Sequence, residues 1–308
     1  MRFRHAVAAV VCLLALAMSA AAQVRSEEII RKLGYPPNSK LLIIHADDFG
    51  VAHSVDRAIS KALENGWVTS ASIMVPCPWF PEAAEYARTH PNADIGLHLT
   101  LTSEWTTYRW GPVAAQPEPS LLDKDGYLPL TESIAAKQDK PSEVENEIRA
   151  QIEKAKAAGV HFTHLDSHMG TLFQTPELFT IYQKMGSEYG VPNFIPLGSD
   201  VTHAQQFPLQ SDRIVISQDL QMTPGLTKEQ WLDGYKKMLS GLKPGVYQLI
   251  VHLGYDDPEF QGITANHPDW GAAWRENDLN VVSSPEFHQF LMDQGFVLIT
   301  WRELAKAM

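Results

Sequence analysis

Eight short apolar runs, bounded by turn residues and mostly separated by helical patterns, constrain this chain more than any other feature. They are Leu41–Ala46, Ser70–Val75, Asp94–Thr100, His161–Asp166, Val191–Leu197, Arg213–Ser217, Val246–His252 and Phe296–Thr300. Runs of this length read as strands buried on both faces. Helices are expected at Ser54–Asn65, Phe80–Thr89, Ser142–Ala158, Pro176–Tyr189, Lys228–Gly241 and Pro285–Gln294. Ser142 with Glu145 has the spacing of a capping box, Ala158-Gly159 that of a helix end, and Thr227 that of an N-cap. Repeated β-then-α units imply parallel strands joined by right-handed crossovers. Eight such units predict an α/β fold: a TIM-like (β/α) barrel, distorted or incompletely closed, since such barrels run to about 250 residues. The rhythm breaks after the third strand. There the loop Ser103–Lys140 is rich in Pro, Trp and Tyr, and its density of rings predicts an ordered lid.

The basic start Met1–His5, the apolar run Ala6–Met18 and the small residues Ser19–Ala22 have the layout of a secretory signal, residues 1–22. Residues 23–308 are then a single barrel domain, exported to the periplasm or beyond the cell. Of 308 residues 44% are apolar and 20% charged, which excludes a disordered chain. Cys12 lies in the leader, so Cys77 would stand alone in the mature protein, with no internal disulfide to form. Its setting, Val75-Pro-Cys-Pro78, is that of a buried strand end. No later run is long enough to span a bilayer, and a net charge of −11 argues against nucleic acid and anionic membrane as partners.

The first strand candidate runs straight into Asp47 and Asp48, with Phe49-Gly50 as the break. Two carboxylates this close raise each other's pKa, and a cation between them is the simplest remedy. His98 lies in the third run, and His164, Asp166 and His168 alternate along the fourth, which puts them on one face. The seventh ends on His252. In a barrel these C-terminal strand ends converge on one mouth. Two imidazoles and a carboxylate make a three-ligand site able to hold and acidify a water, and the expected ligands are Asp48, His98 and His168. Asp47 is then the general base, Asp166 the partner that fixes a ligand imidazole, and His252 the acid for the leaving group. His164, deeper in its strand, is expected to pack rather than ligate. Trp105 and Trp110 in the long loop either stack on sugar faces or pack the loop onto the barrel.

Several of these pieces resemble the YdjC/ChbG-like carbohydrate deacetylases of the glycoside hydrolase/deacetylase barrel superfamily. They are Ala46-Asp-Asp-Phe-Gly50, Gly66-Trp-Val-Thr-Ser-Ala-Ser-Ile-Met74, Ile95-Gly-Leu-His-Leu-Thr-Leu-Thr102, Asp166-Ser-His168 and the tail from Arg275 through Leu279. The likeness covers about residues 40 to 304. It implies metal-dependent removal of acetyl groups from N-acetylated amino sugars such as chito-oligosaccharides, with the same ligands and base, Mg²⁺ as the associated ion and a homodimer. The ligand types themselves favour Zn²⁺ or another transition ion over Mg²⁺. The chain departs from the family where Met169-Gly170-Thr171 replaces a Gln-His continuation, and where His252-Leu-Gly254 replaces His-Pro-Gly. Two other readings remain: a metal-independent glycoside hydrolase using Asp47 and Asp166, and a carbohydrate-binding protein without catalysis.

Overall fold

The computed structural model describes residues 25–198, 207–210 and 213–308, so the leader read at 1–22 lies outside the described residues. Seven parallel strands form one sheet: β1 (Lys40–Phe49), β2 (Ser70–Ile73), β3 (Ile95–Leu99), β4 (Leu165–Ser167), β5 (Gln218–Gln221), β6 (Gly245–Val251) and β7 (Phe296–Leu298). Their order is β4-β3-β2-β1-β6-β5, with β7 also on β1. Because β6 pairs with β1 from Lys40 to Ala46, the other edge of β1 is shared. There β7 pairs with Lys40–Leu42, and β2 with the stretch from His45 onward.

The expected strands Val191–Leu197 and Arg213–Ser217 shrink to single bridges. Leu165 bridges Asn193, and Pro196 bridges Ile216 just ahead of β5. Pro192 and Pro196 each remove a ladder donor, so no continuous strand forms here. The bridges nonetheless carry pairing from β4 round towards β5, giving a distorted barrel. The fourth strand also starts later than the pattern suggested. Residues Thr163 and His164 still bond to β3, through Thr163 N–H to Ile95 and Leu97 N–H to His164.

The helices are α1 (25–32), α2 (His53–Glu64), α3 (Phe80–Thr89), α4 (Glu132–Gln138), α5 (Pro141–Ala157), α6 (Pro176–Tyr189), α7 (Trp231–Leu239), α8 (Pro258–Ile263), α9 (Ala272–Val282), α10 (Pro285–Asp293) and α11 (Trp301–Leu304). At α5 the expected Ser142 cap is not used. Pro141, with its fixed φ, occupies the first helical position and starts the helix one residue earlier, without a side-chain cap. Thr227 does cap, in a box with Gln230 that opens a short 3-10 turn before α7. No apolar stripe announces α9, because its buried side includes Arg275 and Asp278.

The segment between β3 and α5 is fastened along its length. Trp110 donates its indole N–H to the Thr102 carbonyl, Ser103 N–H bonds to Pro129, and Glu147 of α5 accepts the N–H groups of Val113 and Ala114. Trp105 and Trp110 are buried, edge to face, with ring centres 5.8 Å apart. Their burial matches the packing alternative for these rings rather than an exposed sugar platform.

Candidate metal centre

Along a regular strand Asp47 and Asp48 would point to opposite faces. Here β1 carries one extra residue against β2: Ala46 pairs with Ala71 and Phe49 with Ile73. Asp48 takes φ +68°, a left-handed conformation that Asp tolerates better than most residues, at a cost of about 1–2 kcal/mol. This bulge turns both carboxylates towards His98, and Asp48 towards His168 as well. His98 Nε2 is 3.4 Å from Asp48 Oδ1 and 3.7 Å from Asp47 Oδ2, and His168 Nδ1 is 3.4 Å from Asp48 Oδ1.

The set fits a metal ion. Asp48, His98 and His168 offer ligand atoms that all lie within 4.8 Å of one another. Asp48 Oδ1 is buried and makes no hydrogen bond, although an imidazole nitrogen stands on either side of it. The two 3.4 Å separations match the edge of a ligand tetrahedron around Zn²⁺ with bonds of about 2.1 Å. One carboxylate with two imidazoles is also the donor type of a transition ion rather than Mg²⁺.

A second layer orients this set. His98 Nδ1–H reaches Asp166 Oδ1 at 2.7 Å, which leaves Nε2 free to ligate. Asp166 Oδ2 accepts the Ser72 hydroxyl at 2.8 Å and lies 3.0 Å from His45 Nε2, so side chains from β1, β2, β3 and β4 meet inside the barrel. Arg275 donates to Asp48 Oδ2 at 2.6 Å and to the Trp270 carbonyl. Asp278 accepts the His252 backbone N–H, the Trp231 indole and the Tyr235 hydroxyl. His252 Nε2 stands 3.9 Å from Asp47 Oδ2. His164 is fully buried, stacked on Trp301 as a packed residue, and away from the triad.

Burial and charge divide the groups. Burial pushes Asp47 up to about 6, against the pull of His98 and His45. Burial opposes charge on Asp48 too, yet Arg275, His168 and His98 outweigh it and hold that carboxyl well below the usual range. For His168 burial is outweighed by Glu104 and Asp48, which lift it to about 9. His98 is likewise raised, by Asp166 and Asp47. Burial drives His252 down to about 3, so it rests as a neutral imidazole.

The structure thus brings Asp47, Asp48, His98, His168, Asp166 and His252 into one cluster. Glu104, Arg275, His45 and Asp278 join them without having been read as site residues. His45 carried a signal of its own, two residues before Asp47 in the same strand and hence on the same face, and Arg275 and Asp278 lay in the Arg275–Leu279 piece that resembles the family.

The family described as YdjC-like protein matches residues 41–293. A carbohydrate deacetylase of Thermus thermophilus is 31% identical over 287 residues, covering 91% of this chain and 99% of that protein. One from Listeria monocytogenes is 34% identical over 277 residues, covering 85% and 99%. The crystal structure of a candidate cellobiose-phosphate cleavage protein from Enterococcus faecalis superposes with a TM-score of 0.71 at 25% identity. That superposition covers 86% of this chain and 99% of that one. The chain belongs to the YdjC-like protein family.

Proposed function

We propose that this protein is a metal-dependent carbohydrate deacetylase acting on N-acetylated amino sugars of the chito-oligosaccharide kind. The observation that carries the reading is the unpartnered Asp48 Oδ1 set between His98 and His168, with Asp47 beside them. Relatives named carbohydrate deacetylase support the substrate class. The leader pattern supports export before the protein acts.

Asp48, His98 and His168 would hold a divalent ion, which supplies a Lewis acid for the acetamide carbonyl and lowers the pKa of the attacking water. Among the described residues Asp47 makes no ion pair with a Lys or Arg, and it lies next to the ligands, so it takes the proton of that water. His252, 3.9 Å from Asp47, is the next group for that proton on its way to the departing amine. Because His252 rests uncharged, it acts as an acid only after Asp47 has been protonated. Arg275 keeps Asp48 ionised whether or not the ion is present. Asp166 is buried and committed to His98, His45 and Ser72, so it is not free to flank a glycosidic bond. That argues against the glycoside hydrolase reading.

The test is acetate release from a panel of acetylated oligosaccharides, with chelator and with metal added back. Release should stop on chelation and return with Zn²⁺ or another transition ion more readily than with Mg²⁺. Asp47→Asn should abolish it while sugar binding persists. Release that survives chelation, or glycosidic cleavage without acetate, would refute the reading.

A further inference from the structure

His98 and His168 do not present the same nitrogen. His98 faces Asp48 with Nε2 and is held from behind through Nδ1 by Asp166, a strand neighbour. His168 faces Asp48 with Nδ1, so its back is Nε2. What stands there is Glu104, whose Oε2 lies 3.1 Å from His168 Nε2.

We infer that Glu104 is a positioning residue of the metal centre: its carboxylate accepts the Nε2–H of His168 and commits that imidazole to ligate through Nδ1. An isolated imidazole carries its proton on either nitrogen and can flip its ring, and only one of the resulting arrangements aims a bare Nδ1 at Asp48. A carboxylate fixed behind Nε2 holds the ring in that orientation and keeps the proton on Nε2 when Nδ1 gives up its own to ligate. The carrier of Glu104 is rigid enough for the task. Trp110 and Pro129 fasten Thr102 and Ser103 immediately before it. Immediately after it, Trp105 is buried against Phe260 with the Arg275 guanidinium 5.8 Å from its ring centre. Arg275 in turn holds Asp48. The Glu104-Trp105 pair therefore touches one ligand, His168, directly and a second, Asp48, through Arg275.

This inference rests on the ligand set proposed above, and the experiment separates the two. Metal-free protein is titrated with Zn²⁺ against a chromophoric chelator, and with Co²⁺ for its visible spectrum, in wild type, Glu104→Ala, Glu104→Gln and Asp48→Asn. Glu104→Ala should weaken Zn²⁺ binding by about 10–100-fold and alter the Co²⁺ bands. Glu104→Gln, whose carbonyl still accepts from Nε2–H, should fall between wild type and Ala, and it decides the matter if the Ala variant does not fold. Zn²⁺ affinity within about twofold of wild type in the folded Glu104 variants overturns the inference, even if the metal-free melting temperature drops. If Asp48→Asn leaves wild-type Zn²⁺ affinity, the ligand set itself is wrong.

Discussion

Metal binding should expel protons, and the number follows from the charges around the ligands. In the metal-free protein Glu104 and Asp48 lift His168 to about 9, and Asp166 and Asp47 lift His98 well above its usual value. Near neutral pH both imidazoles therefore carry two ring protons, and each must lose the one on its ligating nitrogen. Asp48 sits well below the usual carboxylate range and contributes none. Binding should release about two protons. The sign is fixed: a raised imidazole pKa stabilises the protonated, metal-free form, so affinity falls as pH falls. Two protons correspond to about a 100-fold change in affinity per pH unit, roughly 2.7 kcal/mol. The dependence should become shallower once pH passes about 9, where His168 has already lost its proton. Calorimetric titration of Zn²⁺ in buffers of different ionisation enthalpy measures the release directly, as the slope of observed against buffer enthalpy. A slope corresponding to no proton release would refute the assignment of these imidazoles as ligands.

Arg275→Met leaves Asp48 charged and buried without its cation, and should cost the metal-free protein about 3–5 kcal/mol by denaturant unfolding. Zn²⁺ should recover part of that loss, and a cost below about 1 kcal/mol would show that Asp48 is neutral at rest. Burial, opposed by the Gln138 amide, pushes Asp139 to about 8, so folding favours its protonated form. The stability it contributes is complete below the ordinary carboxylate range and is lost as pH rises through about 8. Asp139→Asn should flatten the decline in stability between about pH 5 and pH 8 by on the order of 2 kcal/mol, and an unchanged slope in urea titrations would contradict this.

The residues proposed to ligate were legible because they lie in strands or just past their ends, where period two and an apolar background single them out. Asp48, His98 and His168 each end or follow such a run, and Asp166 shares the face of His168. The bulge at Asp47-Asp48 was not legible, since nothing in Ala46-Asp-Asp-Phe49 shows that β1 gains a residue against β2. Arg275 and Asp278 escaped because they sit on the buried side of α9, where two charges erase the stripe that would reveal a helix. Glu104 escaped because a single carboxylate in an irregular loop has no period at all. Its role exists only once the Ser103–Lys140 segment is fastened to the barrel. The expected strand Val191–Leu197 failed for a local reason, the prolines at 192 and 196.

The most direct test of the central claim is a crystal structure of protein supplied with Zn²⁺, with anomalous data collected at the zinc edge. A single peak about 2.0–2.2 Å from Asp48, His98 Nε2 and His168 Nδ1, with Asp47 beside it but not bound, is the predicted result. The interior also holds a second group of potential ligands, His45, His164 and Asp166. A peak there, or none at Asp48, would contradict the account.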